Sequence, residues 1–163
     1  MLIDFTKMEG LGNDFIVIDN RAGDRDVSSV QARFLCDRHF GIGADGVLLV
    51  ESSRSADLKM KIYNSDGSEP EMCGNGIRCF ALYARRNQLV DGNPITVETP
   101  AGIITPRVDG DQVVVDMGKP IIEAANIPVN LEGNVINRSF EFGGSEYEIT
   151  CVSMGNPHCV IFV

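Results

Sequence analysis

Apolar and polar residues alternate at several places along the chain and fall at helical spacing at two others. Ile3-Asp4-Phe5 and Phe15-Ile16-Val17-Ile18-Asp19 flank a Gly-rich stretch, Glu9-Gly10-Leu11-Gly12-Asn13-Asp14, and predict a hairpin-like pair of strands. Ser28 or Ser29 can cap a helix running to about His39, with Val30, Phe34 and Leu35 as its apolar positions, before a break at Gly41-Ile42-Gly43. A short strand follows over residues 46–51. Over residues 58–64, Leu58, Met60 and Ile62 alternate with Lys59, Lys61 and Tyr63, and Asn64-Ser65-Asp66-Gly67-Ser68 supplies the turn that ends this strand. A second helix is expected from beside Cys73 to about Asn87, with Ile77, Phe80, Ala81 and Ala84 on its buried stripe. Beyond Gly92 the pattern predicts strands at 95–99, 102–108, 113–117, 138–142, 147–152 and 159–163, with turns at Asp109-Gly110-Asp111 and Gly143-Gly144.

Many strands and two helices, without regular alternation, indicate an α+β fold rather than a doubly wound sheet. No short repeat is visible. Residues 119–134 are irregular, with Pro128 and Gly133, and mark the expected boundary between a first domain, 1–118, and a second, 119–163.

Composition narrows the function classes. With 44% hydrophobic and 23% charged residues the 163-residue chain is in the globular range. A net charge of −9, with the basic residues scattered, argues against nucleic acid as a partner. The stretch from Met1 to Lys7 lacks the basic and long apolar regions of a signal peptide, and no apolar run is long enough to cross a bilayer. A cytoplasmic location without a membrane partner is therefore expected. Five cysteines without a Cys-x-x-Cys pair suggest neither a disulfide framework nor a zinc site, so no metal is expected.

Two Gly-rich segments require different readings. Gly41-Ile42-Gly43-Ala44-Asp45-Gly46 matches G-x-G-x-x-G, but a helix precedes it and a strand follows, the reverse of a dinucleotide fingerprint. It is read as a tight turn. In Glu71-Met72-Cys73-Gly74-Asn75-Gly76-Ile77-Arg78-Cys79, a cysteine stands at the start of a helix, where unpaired amides and the helix dipole stabilise an anion. The thiolate of Cys73 is thus favoured, and the amides of Gly74 and Asn75 could hold a substrate carboxylate. Cys79, further along the helix, reads as core, and Arg78 as structural or solvated. Asn156-Pro157-His158-Cys159 places an imidazole at a strand opening, where it could tune a thiol.

These segments resemble diaminopimelate epimerase closely. The matching stretches are Lys7 to Phe15, Gly41 to Gly46, Tyr63 to Ser68, Met72 to Cys79 and Met154 to Cys159, in family order across essentially the whole chain. The resemblance implies two similar domains, each a β-barrel-like sheet wrapped around a central helix, here one domain plus an incomplete second. It implies interconversion of LL- and meso-diaminopimelate in lysine biosynthesis, with no cofactor: neither pyridoxal phosphate nor metal. By position, Cys73 resembles an acid/base cysteine; Asn13, Asn64, Gly74, Asn75 and Asn156 resemble substrate contacts; and His158 resembles the residue that modulates the cysteines.

Inverting an α-carbon needs proton-transferring groups on two faces, and the family's second cysteine lies in a later segment. With no second Cys-Gly helix start, these 163 residues are expected to be an N-terminal portion that is inactive alone. A homodimer is left open for the full-length protein. The competing readings are another amino-acid racemase or isomerase of the same superfamily, and a non-catalytic fragment that binds a ligand.

Overall fold

A computed structural model describes residues 3–25 and 27–163, so Met1 and Leu2 of the N-terminal stretch read above lie outside the described residues. The chain divides into two compact units, residues Met1–Asp116 and Met117–Val163.

In the first unit, β1 (Thr6–Gly10) and β2 (Asn13–Asp19) form the expected hairpin about a two-residue turn at Leu11-Gly12. Parallel to β2 runs β3 (Gly46–Glu51), which pairs antiparallel with β4 (Leu58–Asn64). The sheet is completed by β5 (Val97–Thr99), parallel to β4, and β6 (Gly102–Ile104), giving six strands in sequence order. The continuous apolar runs of β2 and β3 follow from burial on both faces. One face meets α1 (Ser29–Cys36), where Ile16, Ile18, Val47, Leu49 and Tyr63 gather around Ala32 and Cys36. On the other lies α2 (Gly74–Arg86), whose Gly76 approaches Leu48 and Ile62.

The second helix is the centre of this unit. It packs against β1, β2, β3 and β4, and also against β7 (Arg107–Asp109) and β8 (Gln112–Val114), which pair as a separate hairpin. The strands thus surround it on several sides, in the barrel-like arrangement expected. Its predicted stripe is buried: Ile77, Phe80, Ala81 and Ala84 are each 0% exposed.

Some boundaries differ from the periodicity. The first helix stops at Cys36 rather than near His39, because Asp37 takes an extended conformation and its carboxylate accepts from the His39 and Phe40 amides, both at 2.7 Å. Its buried face is also different. Val30 and Phe34 are exposed, while Ala32 and Cys36 are buried and Leu35 packs beside them, so small residues at i and i+4 let the helix approach the sheet closely. The start is as expected: Ser28 and Gln31 form a reciprocal capping box. The single strand expected over 102–108 is two strands in different sheets, broken around Pro106, which has no N–H for a ladder and whose carbonyl instead accepts from the Ile95 amide at 2.9 Å. The strands expected at 95–99 and 113–117 are shorter, as β5 and β8.

The second unit is a three-stranded antiparallel sheet of β9 (Arg138–Phe142), β10 (Ser145–Ser153) and β11 (Pro157–Ile161), with β10 central. The irregular stretch before it contains a short 3₁₀ turn, Ala124–Asn126. Ala124, Ile127, Val135, Ile149 and Cys151 form its small core.

Candidate active site

The sheet register brings three strand ends together. Phe15 of β2 lies opposite Gly46 of β3, and Gly46 opposite Asn64 of β4, so Asn13, Asp45 and Asn64 gather at one end of the six-stranded sheet. Cys73 lies at the start of α2 beside this end. It is the N-cap residue: its backbone is extended, and its sulfur accepts from the Gly76 amide at 3.3 Å. Gly74 and Asn75 follow in the first turn, and the first intrahelical bond, from the Ile77 amide to the Cys73 carbonyl, is 2.8 Å. Their own amides therefore belong to the unpaired set at a helix start. Cys73 is half-buried, and its sulfur is held by that bond.

Asn13 joins the groups. Its Oδ1 accepts from Asn75 Nδ2 at 3.3 Å and lies 3.9 Å from the Cys73 thiol, which donates to it. Asn75 Oδ1 in turn accepts from the Arg78 guanidinium, giving that arginine a local structural role. Asn64 is fastened in its turn, its Nδ2 donating to Ser68 Oγ at 2.9 Å. The structure thus collects Cys73, Asn13, Gly74 and Asn75 directly, with Asn64 at the same sheet end.

Asn156 and His158 belong to the second unit. His158 sits on β11 and is exposed, with Nε2 3.0 Å from Asn156 Oδ1, so these two residues are paired with each other. Cys159 is exposed and lies opposite buried Cys151 across the β10–β11 ladder.

The other cysteines of the first unit differ from Cys73. Burial pushes the Cys79 thiol up to about 11, and burial also raises that of Cys36. Both stay protonated and sealed at neutral pH, consistent with the core role expected of Cys79.

A cluster of charges behind Asn13 was not singled out by the sequence reading. Asp14 accepts from Arg38 at 2.7 Å and lies 2.7 Å from Lys7 Nζ, and Arg38 also reaches Asp45 at 3.0 Å. Sequence gave a signal only in hindsight, since Asp14 and Asp45 lie within the two Gly-containing turns. The Arg38 bonds are the main reason the Asp14 carboxyl is held far below the usual carboxylate range, with Lys7 adding to them against partial desolvation. Because the folded value is depressed, the cluster contributes its full stability above the unfolded value of about 3.9 and loses it as pH falls below that toward the folded value. Urea unfolding at pH 6, 4 and 3 should show the wild-type midpoint falling more steeply than that of Asp14→Asn. Parallel slopes would remove Asp14 from the acid response.

Among the described residues, no three His, Cys, Asp or Glu side chains group as a metal ion requires, and no helix is long and apolar enough to cross a membrane.

A sequence model of the family described as diaminopimelate epimerase matches residues 5–123. Diaminopimelate epimerase 1 of Nostoc sp. is 52% identical to the whole chain, which spans 61% of that relative's length. The diaminopimelate epimerase of Desulfitobacterium hafniense is 50% identical over 99% of the chain, which covers 60% of it. The fold also matches solved structures at low identity: a probable proline racemase from Agrobacterium radiobacter (TM-score 0.67, 14% identity, 98% of this chain and 52% of that one), and a phenazine biosynthesis protein of the PhzF family from Bacillus anthracis (TM-score 0.62, 20% identity, 98% and 54%). The α+β architecture around a central helix, the Cys73 helix start and half-identity along the chain therefore converge: the chain belongs to the diaminopimelate epimerase family.

Proposed function

We propose that the chain carries one acid/base half of an epimerase that inverts an α-carbon of diaminopimelate, interconverting the LL and meso forms on the way to lysine. The observation that supports this reading most directly is the half-buried Cys73 sulfur at the start of α2, beside the unpaired amides of Gly74 and Asn75. In this reading the substrate's α-carboxylate lies on those amides, where the helix dipole favours negative charge. When the Cα–H bond breaks, its electron pair spreads into that carboxylate, and the same amides stabilise the added charge. Cys73 takes the proton as thiolate, or returns one as thiol, on one face; a second group serves the opposite face. Asn13, Asn64 and Asn156 orient the substrate's polar ends, and His158 tunes the acid/base pair. The residues supply this chemistry without pyridoxal phosphate or metal, in the cytoplasm, on a small-molecule substrate.

Cys36 and Cys79 are too deeply buried to be the second group, and the chain spans about three-fifths of its curated relatives' length. The whole protein is therefore the object to assay. Given LL-diaminopimelate in deuterated water, it is expected to produce the meso form with deuterium at the inverted carbon. The fold match to a probable proline racemase supplies the rival substrate: turnover of proline with none of diaminopimelate would overturn the assignment.

A further inference from the structure

The Gly41-to-Gly46 segment has no part in the chemistry above, yet its conformation is tightly determined. A Cβ on Gly41 would lie 2.0 Å from the Phe34 carbonyl oxygen, and Gly43 has a φ of +80° against Arg38. The turn therefore folds hard against the end of α1 and delivers one side chain, Asp45, to the start of β2. Asp45 Oδ2 accepts from Asn13 Nδ2 at 2.9 Å and from the Asp14 amide at 3.1 Å, while Oδ1 accepts from Arg38 at 3.0 Å.

We propose that Asp45 is a positioning residue for Cys73, acting by fixing which end of the Asn13 amide faces the sulfur. The two ends of an asparagine amide have nearly the same shape, so partners rather than packing choose between them. An ionised carboxylate only accepts, so the Asn13 NH₂ must face Asp45, and its oxygen must face Asn75 Nδ2 and the Cys73 thiol. Asn75 is oriented independently by Arg78, which only donates. Two charged groups thus set two amides in agreement, one from each side. The outcome at sulfur is specific: the Asn13 oxygen accepts from S–H but offers nothing to the anion, whereas the Gly76 amide bonds the anion. The sulfur is held between a partner for its acid form and a partner for its base form. Reversing Asn13 would present two donors to it.

The role assigned to Asp45 rests on the reading of Cys73 as an acid/base group, but its test needs no turnover, so failure of the epimerase assay and failure here are separate results. The test is a double-mutant cycle on the whole protein, reading the rate of Cys73 alkylation by iodoacetamide at pH 7 by peptide mass spectrometry, with amide hydrogen exchange in β2 and β3 confirming the fold. Asp45→Ala removes the charged acceptor from the Asn13 NH₂ and leaves only the 3.3 Å bond from Asn75 to hold the amide; in the fraction that turns, an N–H faces the reacting thiolate, and the rate should rise by about twofold or more, the effect of one hydrogen bond. In Asn13→Ala, adding Asp45→Ala should change the rate by less than about half of that. Asp45→Asn, whose amide can donate as well as accept, should fall between wild type and Asp45→Ala. An Asp45→Ala rate equal to wild type, or an increase that survives in Asn13→Ala, would overturn the proposal. Should Asp45→Ala not fold, the wild-type Asn13 side-chain amide decides by NMR: protons protected from solvent exchange support the bond to Asp45, and freely exchanging ones refute it.

Discussion

Cys73→Ser in the whole protein is expected to lower epimerisation of diaminopimelate by about 10²- to 10⁴-fold, the usual worth of a positioned acid/base group, while leaving the fold as stable as before. The two effects separate because the observed cap and the proposed proton transfer ask different things of residue 73. As N-cap, its sulfur accepts from the Gly76 amide, and a serine hydroxyl does this at least as well. The proposed proton transfer needs a group that ionises more readily than a serine hydroxyl does unaided, and a thiol is such a group. Cys73→Ala should lose the same activity and also about 1 kcal/mol of stability, because it removes the cap. Turnover assays paired with urea unfolding would show this, and a serine variant with more than a tenth of wild-type activity would remove Cys73 from the chemistry.

Phe80→Ala should give the largest loss of stability, about 3–5 kcal/mol. Phe80 is 0% exposed on the helix that the surrounding strands enclose, and it is among the largest wholly buried side chains. Its removal leaves a void at a wholly buried position, and the loss is the transfer of the ring plus the cavity that remains. Against a typical domain stability of about 5–15 kcal/mol, this is a large fraction. The urea midpoint should fall with little change in the slope of free energy against denaturant. A loss below about 1 kcal/mol would mean that the helix is not the centre of the core.

The elements that carry the site were readable because their signals were local and redundant. Cys73, two nearby glycines and a 3.6-residue stripe through Ile77, Phe80, Ala81 and Ala84 all point to one helix start, and β4 showed its alternation directly. The first helix was legible at its capped start but not at its face, since Val30 and Phe34 are apolar yet exposed, and only the sheet's need for close approach selects Ala32 and Cys36. Pro106 marked where a strand must break, but not that the two pieces would join different sheets. Asp45 was hidden for a different reason. Its partners Asn13 and Arg38 are set by the parallel pairing of β2 with β3 and by the end of α1, relations between distant segments that no window of sequence displays.

The helix that begins at Cys73 is the same one that fills the middle of the strands, with no hinge or loop between the sulfur and Phe80. The Cys73 sulfur and the core side chain Phe80 therefore share one rigid rod, and anything that loosens its packing also blurs the aim of the thiol. On warming, the placement of that sulfur is expected to be lost together with the core around the helix and not before it.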